Sequence, residues 1–167
     1  SWDSEIDFTS GIDSTYKQYH FEFTEINLAT DGAEFQFQAD TGTNTNYNQT
    51  ITSIVYHAEN AESSGGGSFT YSTGRDLDQE TSFQDLFPDA GNGGDECCFG
   101  YLRVQNPSSS TYVKNFMSRM DGYHQNSLAF NMVVGGYFNT TTALTRFRFK
   151  SSSGNFDGTI TMYGVNA

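Results

Sequence analysis

The chain has 167 residues and a formal net charge of −12, from 20 acidic against 8 basic side chains. That length fits one domain able to bury a real core. The charge excludes a sequence-independent nucleic-acid binder and a domain held to anionic membrane by charge, because both depend on Lys and Arg. The 15 Phe and 10 Tyr, with 17 Gly but only 2 Pro, favour pleated, half-buried surfaces joined by many turns. Few windows carry the apolar spacing of a helix, so the class predicted is all-β. No apolar run approaches the ~20 residues that cross a bilayer, so no membrane partner is expected.

In chain order, Trp2 to Phe8 reads as an edge strand or an arm reaching a neighbour, and Ser10 to Tyr16 as a polar turn. Tyr19, Phe21 and Phe23 then share one strand face opposite His20, Glu22 and Thr24. Phe35, Phe37 and Ala39 repeat the pattern after a Thr30-Asp31-Gly32 turn, and Thr41 to Asn48 is a loop. Ile51 to Ala58 is more continuously apolar, which predicts burial on both faces. A Ser/Gly loop over 61–68 leads to Phe69 and Tyr71. The interval from Thr73 to Glu96 is less regular, and a short helical turn is expected around Ser82 to Leu86, capped by Thr81 or Ser82. Phe99 to Gln105, Tyr112 to Met117 and Ser127 to Val134 are the later central strands. At the end, Leu144 to Lys150 alternates, with Thr145, Phe147 and Phe149 on one face, and Thr159 to Val165 alternates again. The turn-rich stretch from Ser151 to Gly158 between them predicts a terminal β-hairpin. Short strands separated by turns, with no repeat and no linker, predict a single antiparallel β-sandwich over residues 1–167, with 1–8 as its arm or edge strand.

Residues that carry chemistry are sparse. Cys97 and Cys98 are the only cysteines, and adjacent residues of a strand point to opposite faces, so two free thiols are expected, one turned inward. The loop from Asp89 to Glu96 is rich in carboxylates but lacks the alternating ligands of a calcium loop, so it reads as a solvated turn and no metal or cofactor is expected. His20 and His57 lie in strand patterns and His124 in a polar loop, with no second ligand at metal-binding spacing. There is no Gly-x-Ser-x-Gly elbow and no phosphate-binding glycine loop, and abundant acids are not by themselves a catalytic pair, so no enzymatic activity is expected. Tyr112, Tyr123, Tyr137 and Phe138 flank loops and, with Trp2 and His124, are the candidate interaction surface. Packing against protein is favoured over stacking on sugar rings, since tyrosine is enriched at interfaces. Asn48-Gln49-Thr50 and Asn139-Thr140-Thr141 match the glycosylation triplet.

The ending also carries a resemblance. An aromatic-rich strand, Arg146-Phe147-Arg148-Phe149, a Ser153-Gly154-Asn155 turn and a strand closing on Tyr163-Gly164-Val165 resemble the C-terminus of small β-sandwich proteins of tailed-phage virions. The opening Ile6-Asp7-Phe8-Thr9-Ser10-Gly11, the Tyr19-His20-Phe21-Glu22-Phe23 strand and the Asn106-Pro107-Ser108 segment agree, so the similarity runs from about Ile6 to Val165. The resemblance implies a jelly-roll-like fold and a non-enzymatic place in the virion, as capsid decoration, collar or tail-fibre part, bound to other virion proteins. It implies no active-site residues. With no signal peptide visible at its start, the sequence suits a protein made in a host cytoplasm and packaged, and equally one numbered from a processed end; the glycosylation triplets would then go unused. A homo-oligomer is expected, a trimer foremost, because closed symmetry reuses one surface and an exposed Trp2 asks for cover. The alternative is a carbohydrate- or receptor-binding module for host glycans.

Overall fold

The computed structural model describes residues 1–63 and 65–166, which form strands and no helix. The strands are β1 (Glu5–Phe8), β2 (Gln18–Leu28), β3 (Ala33–Thr41), β4 (Ile51–Ala61), β5 (Gly67–Tyr71) and β6 (Asp78–Glu80), then β7 (Gln84–Ala90), β8 (Cys98–Gln105), β9 (Lys114–His124), β10 (Leu128–Phe138), β11 (Leu144–Ser151) and β12 (Phe156–Val165). All pair antiparallel in one continuous 12-stranded sheet that folds over itself. The smaller layer runs β1-β11-β3-β7; the larger runs β12-β2-β8-β9-β10-β4, with β5 and β6 on the outer edge of β4. Among the described residues, the named strands of the two layers join where Ala90 of β7 pairs with His124 of β9, and at the other edge an isolated bridge links Asp3, just before β1, to Phe156 of β12. No two strands consecutive in sequence share the smaller layer: β1, β3, β7 and β11 each hand the chain back to the larger one, the alternation expected of jelly-roll-like winding.

The period-two faces meet between the layers. Phe21, Phe23, Phe35, Phe37, Phe147 and Phe149 are all buried, and Ile160 and Met162 pack partly buried against them. Phe149 of the smaller layer is the hub, with its ring centroid 5.1 Å from Phe21, 5.3 Å from Phe23 and 5.9 Å from Phe8. Tilted and edge-on contacts like these suit the quadrupoles of aromatic rings, so the centre is directional as well as apolar. One polar contact crosses it: Ser53 Oγ donates to Gln84 Oε1 at 2.6 Å and accepts from the Leu77 backbone N–H.

Several expectations are corrected. The last two strands form no hairpin: β11 pairs with β1 and β3, whereas β12 pairs with β2 in the opposite layer. Both carry a buried face on the same core, and only placement in facing layers turns both inward; Gly154, at φ +71°, makes the crossing turn. A bulge between Leu144 and Arg146 shifts the register, so Leu144 faces inward and Thr145 instead donates its hydroxyl to Gly42 O at 2.8 Å. The helical turn at 82–86 is replaced by β7, because Gln84, Leu86 and Phe87 are needed to close the smaller layer. Ile51 to Ala58 is buried on one face only: Ile51, Ser53 and Val55 face the core while Ile54 is 54% exposed. Phe138 belongs to the core and not to a surface, for its ring packs on Phe37, Phe116 and Phe147. Tyr112 precedes its strand, which starts at Lys114 and runs to His124, and the next runs on to Phe138. The first residues form an edge strand on β11, with no arm leaving the domain.

Candidate functional site

The outer faces of the two layers differ in what covers them. On the smaller layer, Gln38 and Asp40 point outward from β3 yet are fully buried, because the chain after β3 folds back over them. Asp40 accepts from the backbone N–H of Thr41 and Tyr47, both at 2.8 Å, and from Gln49 Nε2 at 3.1 Å. Gln38 donates from Nε2 to the carbonyls of Gln49 and Ser82, both at 3.0 Å. The Tyr47 ring is thereby buried under Arg148, whose guanidinium stands 4.2 Å from its centroid and is held by Asp7 at 2.7 Å and Glu5 at 2.9 Å. Partial burial pulls the Asp7 carboxyl upward, but the Arg148 hydrogen bonds outweigh it and hold Asp7 below the usual carboxylate range.

Among the described residues, no segment covers the larger layer in that way. Its outward residues line up in cross-strand rows. One row runs Thr161, Glu22, Tyr101, Arg119, Val133, Tyr56 and Tyr71 across β12-β2-β8-β9-β10-β4-β5. A second runs Tyr163, His20, Arg103, Met117, Gly135 and Ile54, and a third Phe99, Asp121, Asn131, Ala58 and Phe69. Tyr163, Phe99, Met117, Ile54, Phe69 and Tyr71 are exposed. Of the 20 acidic residues in the chain, only Glu22 and Asp121 stand in these rows. Arg103 lies 4.4 Å from the Tyr101 centroid and Tyr56 packs on Phe69 at 5.5 Å, so the aromatics form a partly ordered platform. Gly100, between Phe99 and Tyr101, lies in the inward phase and pairs with Phe23 and Met120. A Cβ there would sit 2.1 Å from the Arg119 carbonyl, so only glycine lets β8 approach β9 this closely. A groove of about 350 Å³ is lined by Phe99, Gly100, Tyr101, Arg119, Asp121 and Asn131.

The six residues singled out from sequence are not brought together. Trp2 is half-exposed beside Asp3, which bridges to Phe156, and Tyr112 is exposed in the loop before β9. Tyr137 is half-buried and pairs with Asn115 near that same end of the sandwich. Tyr123 and His124 are at the opposite end of β9, and His124, like Phe138, is buried. The platform residues that sequence reasoning missed sit in strands already recognised, at the alternate positions left outward. The signal is that both phases of 99–102 and 54–56 are free of charged side chains and hold Phe99, Tyr101, Leu102, Ile54, Val55 and Tyr56.

The end of the sandwich near His124 gathers the titratable groups. Arg75 bridges Asp85, at 2.9 Å, and Asp89, while His124 Nε2 lies 3.7 Å from Asp89. Phe130 lies between His57, stacked on it at 4.6 Å, and His124, tilted against it at 5.1 Å. Burial lowers the His124 pKa, and its Nδ1 accepts from the Asn126 N–H at 3.2 Å, a bond available only to the neutral ring. Burial likewise raises the Asp85 carboxyl, against hydrogen bonds from Gln36 and Arg75. His57 Nδ1 meets Ser72 Oγ at 2.7 Å, but Glu59 is 3.9 Å from its other nitrogen and accepts from Ser68 Oγ at 3.0 Å, so the three do not form a continuous proton relay. In the 89–96 loop, Asp89 turns to Arg75 and His124, while Glu96 accepts from the Gly93 N–H at 2.7 Å. Among the described residues, no group of three or more His, Cys, Asp or Glu is placed to hold a metal ion. Cys97 is exposed and Cys98 buried, both free, and burial raises both thiol pKa values. No protein-family model matches the chain, and no curated protein matches it.

Proposed function

We propose that this chain is a non-enzymatic structural component of a tailed-phage particle, in its capsid decoration, collar or tail fibre, that works by contact with other virion proteins. The phage assignment rests on the resemblance of its opening and closing strands, from Ile6 to Val165, to such proteins. The mode of action rests on one observation, the uncovered outer face of the larger layer, where Phe99, Met117, Ile54, Phe69 and Tyr163 stand exposed in rows whose two acids, Glu22 and Asp121, are matched by Arg103 and Arg119. Aromatic enrichment is a compositional mark of protein interfaces. Homo-oligomerisation, with a trimer foremost, belongs to the same reading: acidic protomers repel wherever their acids meet, and on this face the two acids are offset by Arg103 and Arg119. Peptide mass spectrometry on purified particles, with copy number from cryo-electron microscopy, is the test. The chain should appear in stoichiometric copies, and its absence from particles made in cells that express it ends the proposal.

A second reading has an observation of its own. The groove beside Gly100 sets the Phe99 and Tyr101 rings among the polar ends of Arg119, Asp121 and Asn131, a combination that also stacks on and hydrogen-bonds to sugar rings. Reproducible glycan-array binding that is lost in Tyr101→Ala would move the function to a receptor-binding module.

A further inference from the structure

We propose that the β5 edge of the larger layer accepts one extended strand from another protein, and that this strand is basic. The inference rests on the reading of the chain as a protein-contact component and adds where a partner docks and what it is made of.

Among the described residues β5 pairs only with β4, and every one of its residues is exposed, Phe69 at 72%. The phase of its free backbone groups follows from the register. The Ser72 N–H donates to Val55 O at 2.9 Å, so Ser72 and Val55 form a hydrogen-bonded pair. In an antiparallel ladder such pairs alternate with pairs that bond outward. Since Tyr56 faces Tyr71 and Ala58 faces Phe69, the N–H and C=O groups of Gly67, Phe69 and Tyr71 point away from β4 and have no partner strand. The Phe69 and Tyr71 side chains lie on the aromatic outer face, next to Tyr56. An incoming strand thus gains a row of backbone bonds and, on one side, an aromatic surface for alternate residues.

Charge selects the occupant. β6 follows β5 along the same edge of β4 and is Asp78-Gln79-Glu80, fully exposed. Asp76 accepts from the Tyr71 hydroxyl, and Glu59 lies opposite Ser68. The cation closest in sequence, Arg75, is engaged by Asp85 and Asp89. Two copies meeting edge to edge would oppose these acids to one another, a common way to keep sheet edges from self-pairing. The same acids attract a strand carrying Lys or Arg.

The probe is a synthetic Lys-Val-Thr-Val-Thr-Val-Lys peptide added to the full chain, with a Glu-flanked version as control. The Lys peptide should bind with Kd of roughly 0.1–1 mM, weaken as salt rises, and slow hydrogen exchange at the amides of Gly67, Phe69 and Tyr71, with little change at Ser68 and Thr70. Phe69→Pro deletes an N–H that faces away from β4, so the fold should survive, and binding should fall about tenfold more than in Phe69→Ala. Asp78→Asn with Glu80→Gln should flatten the salt dependence. Equal binding of both peptides, protection elsewhere on the chain, or no binding at millimolar peptide overturns the proposal, and the exchange measurement decides it even if the proline variant fails to fold. A dimer seen by light scattering and abolished by Phe69→Pro would give the edge to a second copy and also overturn it. None of these outcomes bears on whether the chain is found in particles, which mass spectrometry decides separately.

Discussion

The two outer faces of this sandwich are built from the same kind of strand and finished in opposite ways. On the smaller layer, outward polar residues are turned to internal use: Asp40 and Gln38 pin the 42–50 loop, Arg148 roofs Tyr47 between Asp7 and Glu5, and Lys150 stands 4.4 Å over the Phe83 ring. On the larger layer, outward positions are aromatic or apolar and left in solvent, and the few charges, such as Arg103 over Tyr101, order the surface without covering it. The difference teaches that burial of a polar group and exposure of an apolar one are linked here. A face that spends its hydrogen bonds on its own chain is closed to partners, and a face that does not is free to be covered from outside.

The largest way to break this arrangement is to empty the core that holds both faces apart. Phe149 touches rings from both layers, so Phe149→Ala should cost ~3–5 kcal/mol. For a domain of this size that lowers the melting midpoint by several degrees or more. A midpoint within about a degree of wild type would show that the two layers do not share this cluster.

Next in size is the covered face. Asp40→Ala removes the acceptor of the Thr41 and Tyr47 N–H groups and of the Gln49 amide. Buried donors left without a partner cost about 1–3 kcal/mol. The loop over 42–50 should become sensitive to limited proteolysis while the outer face of the larger layer keeps its hydrogen-exchange pattern. If Asp40→Ala loosens both faces equally, the covering loop is not an independent device.

Much of this division was legible in the sequence, but unevenly. The inward phases of 19–23, 35–39 and 147–149 follow from period-two alternation alone, because one face of each strand is apolar and the other polar. Where both phases are apolar, as at Ile54 to Tyr56 and Phe99 to Leu102, alternation gives no answer, and double burial was the wrong inference for Ile54. Layer membership is non-local: nothing within 144–165 tells a hairpin from a crossover, since the choice depends on β2 and β3 more than a hundred residues away. The six candidate surface residues scatter over the fold for a related reason. A place beside a loop does not fix burial: Phe138 is drawn inside by Phe37 and Phe147, whereas Phe99, Phe69 and Tyr163 are exposed within strands.

A smaller effect is expected from acid, at the joint between the layers. His124 is held neutral by burial, which outweighs the nearby Asp89 and Glu59 carboxylates; Arg75 and His57 add to the lowering. Its folded pKa lies below the ordinary 6.5 of the unfolded chain. The unfolded state therefore binds the proton first, and stability falls as pH drops through about 6.5 toward the lowered folded value. Asp85 acts in the opposite sense: its pKa is raised from 3.8 by burial, so its ionisation costs stability at neutral pH and protonation relieves that cost as pH falls through the raised value. Burial, with Arg103 beside it, also lowers the His20 pKa, so melting midpoints should decline between about pH 7 and 6, and the decline should be smaller in His124→Gln. A flat profile in the wild-type chain over that interval would show that His124 titrates alike in both states.

The smallest expected effect is on the uncovered face, and its smallness is the point. Ile54 and Met117 are each about half exposed, at 54% and 51%, and neither lies in the buried core. Replacing them with serine removes little that the folded chain has buried, so each variant should melt within about 0.5 kcal/mol of wild type. On the covered face an equally conservative change at Tyr47, 1% exposed, would leave a cavity. If the uncovered face is held ready for a partner, Ile54→Ser with Met117→Ser should leave the melting curve alone and weaken incorporation into particles. Light scattering at low and high salt adds the remaining discrimination. Association that persists or tightens as salt screens the −12 charge, and is lost in the double variant, assigns this face to copies of the chain itself. A double variant that melts more than about 1 kcal/mol below wild type would mean that the face is already packed by something within the domain, and the contrast between the two faces would not hold.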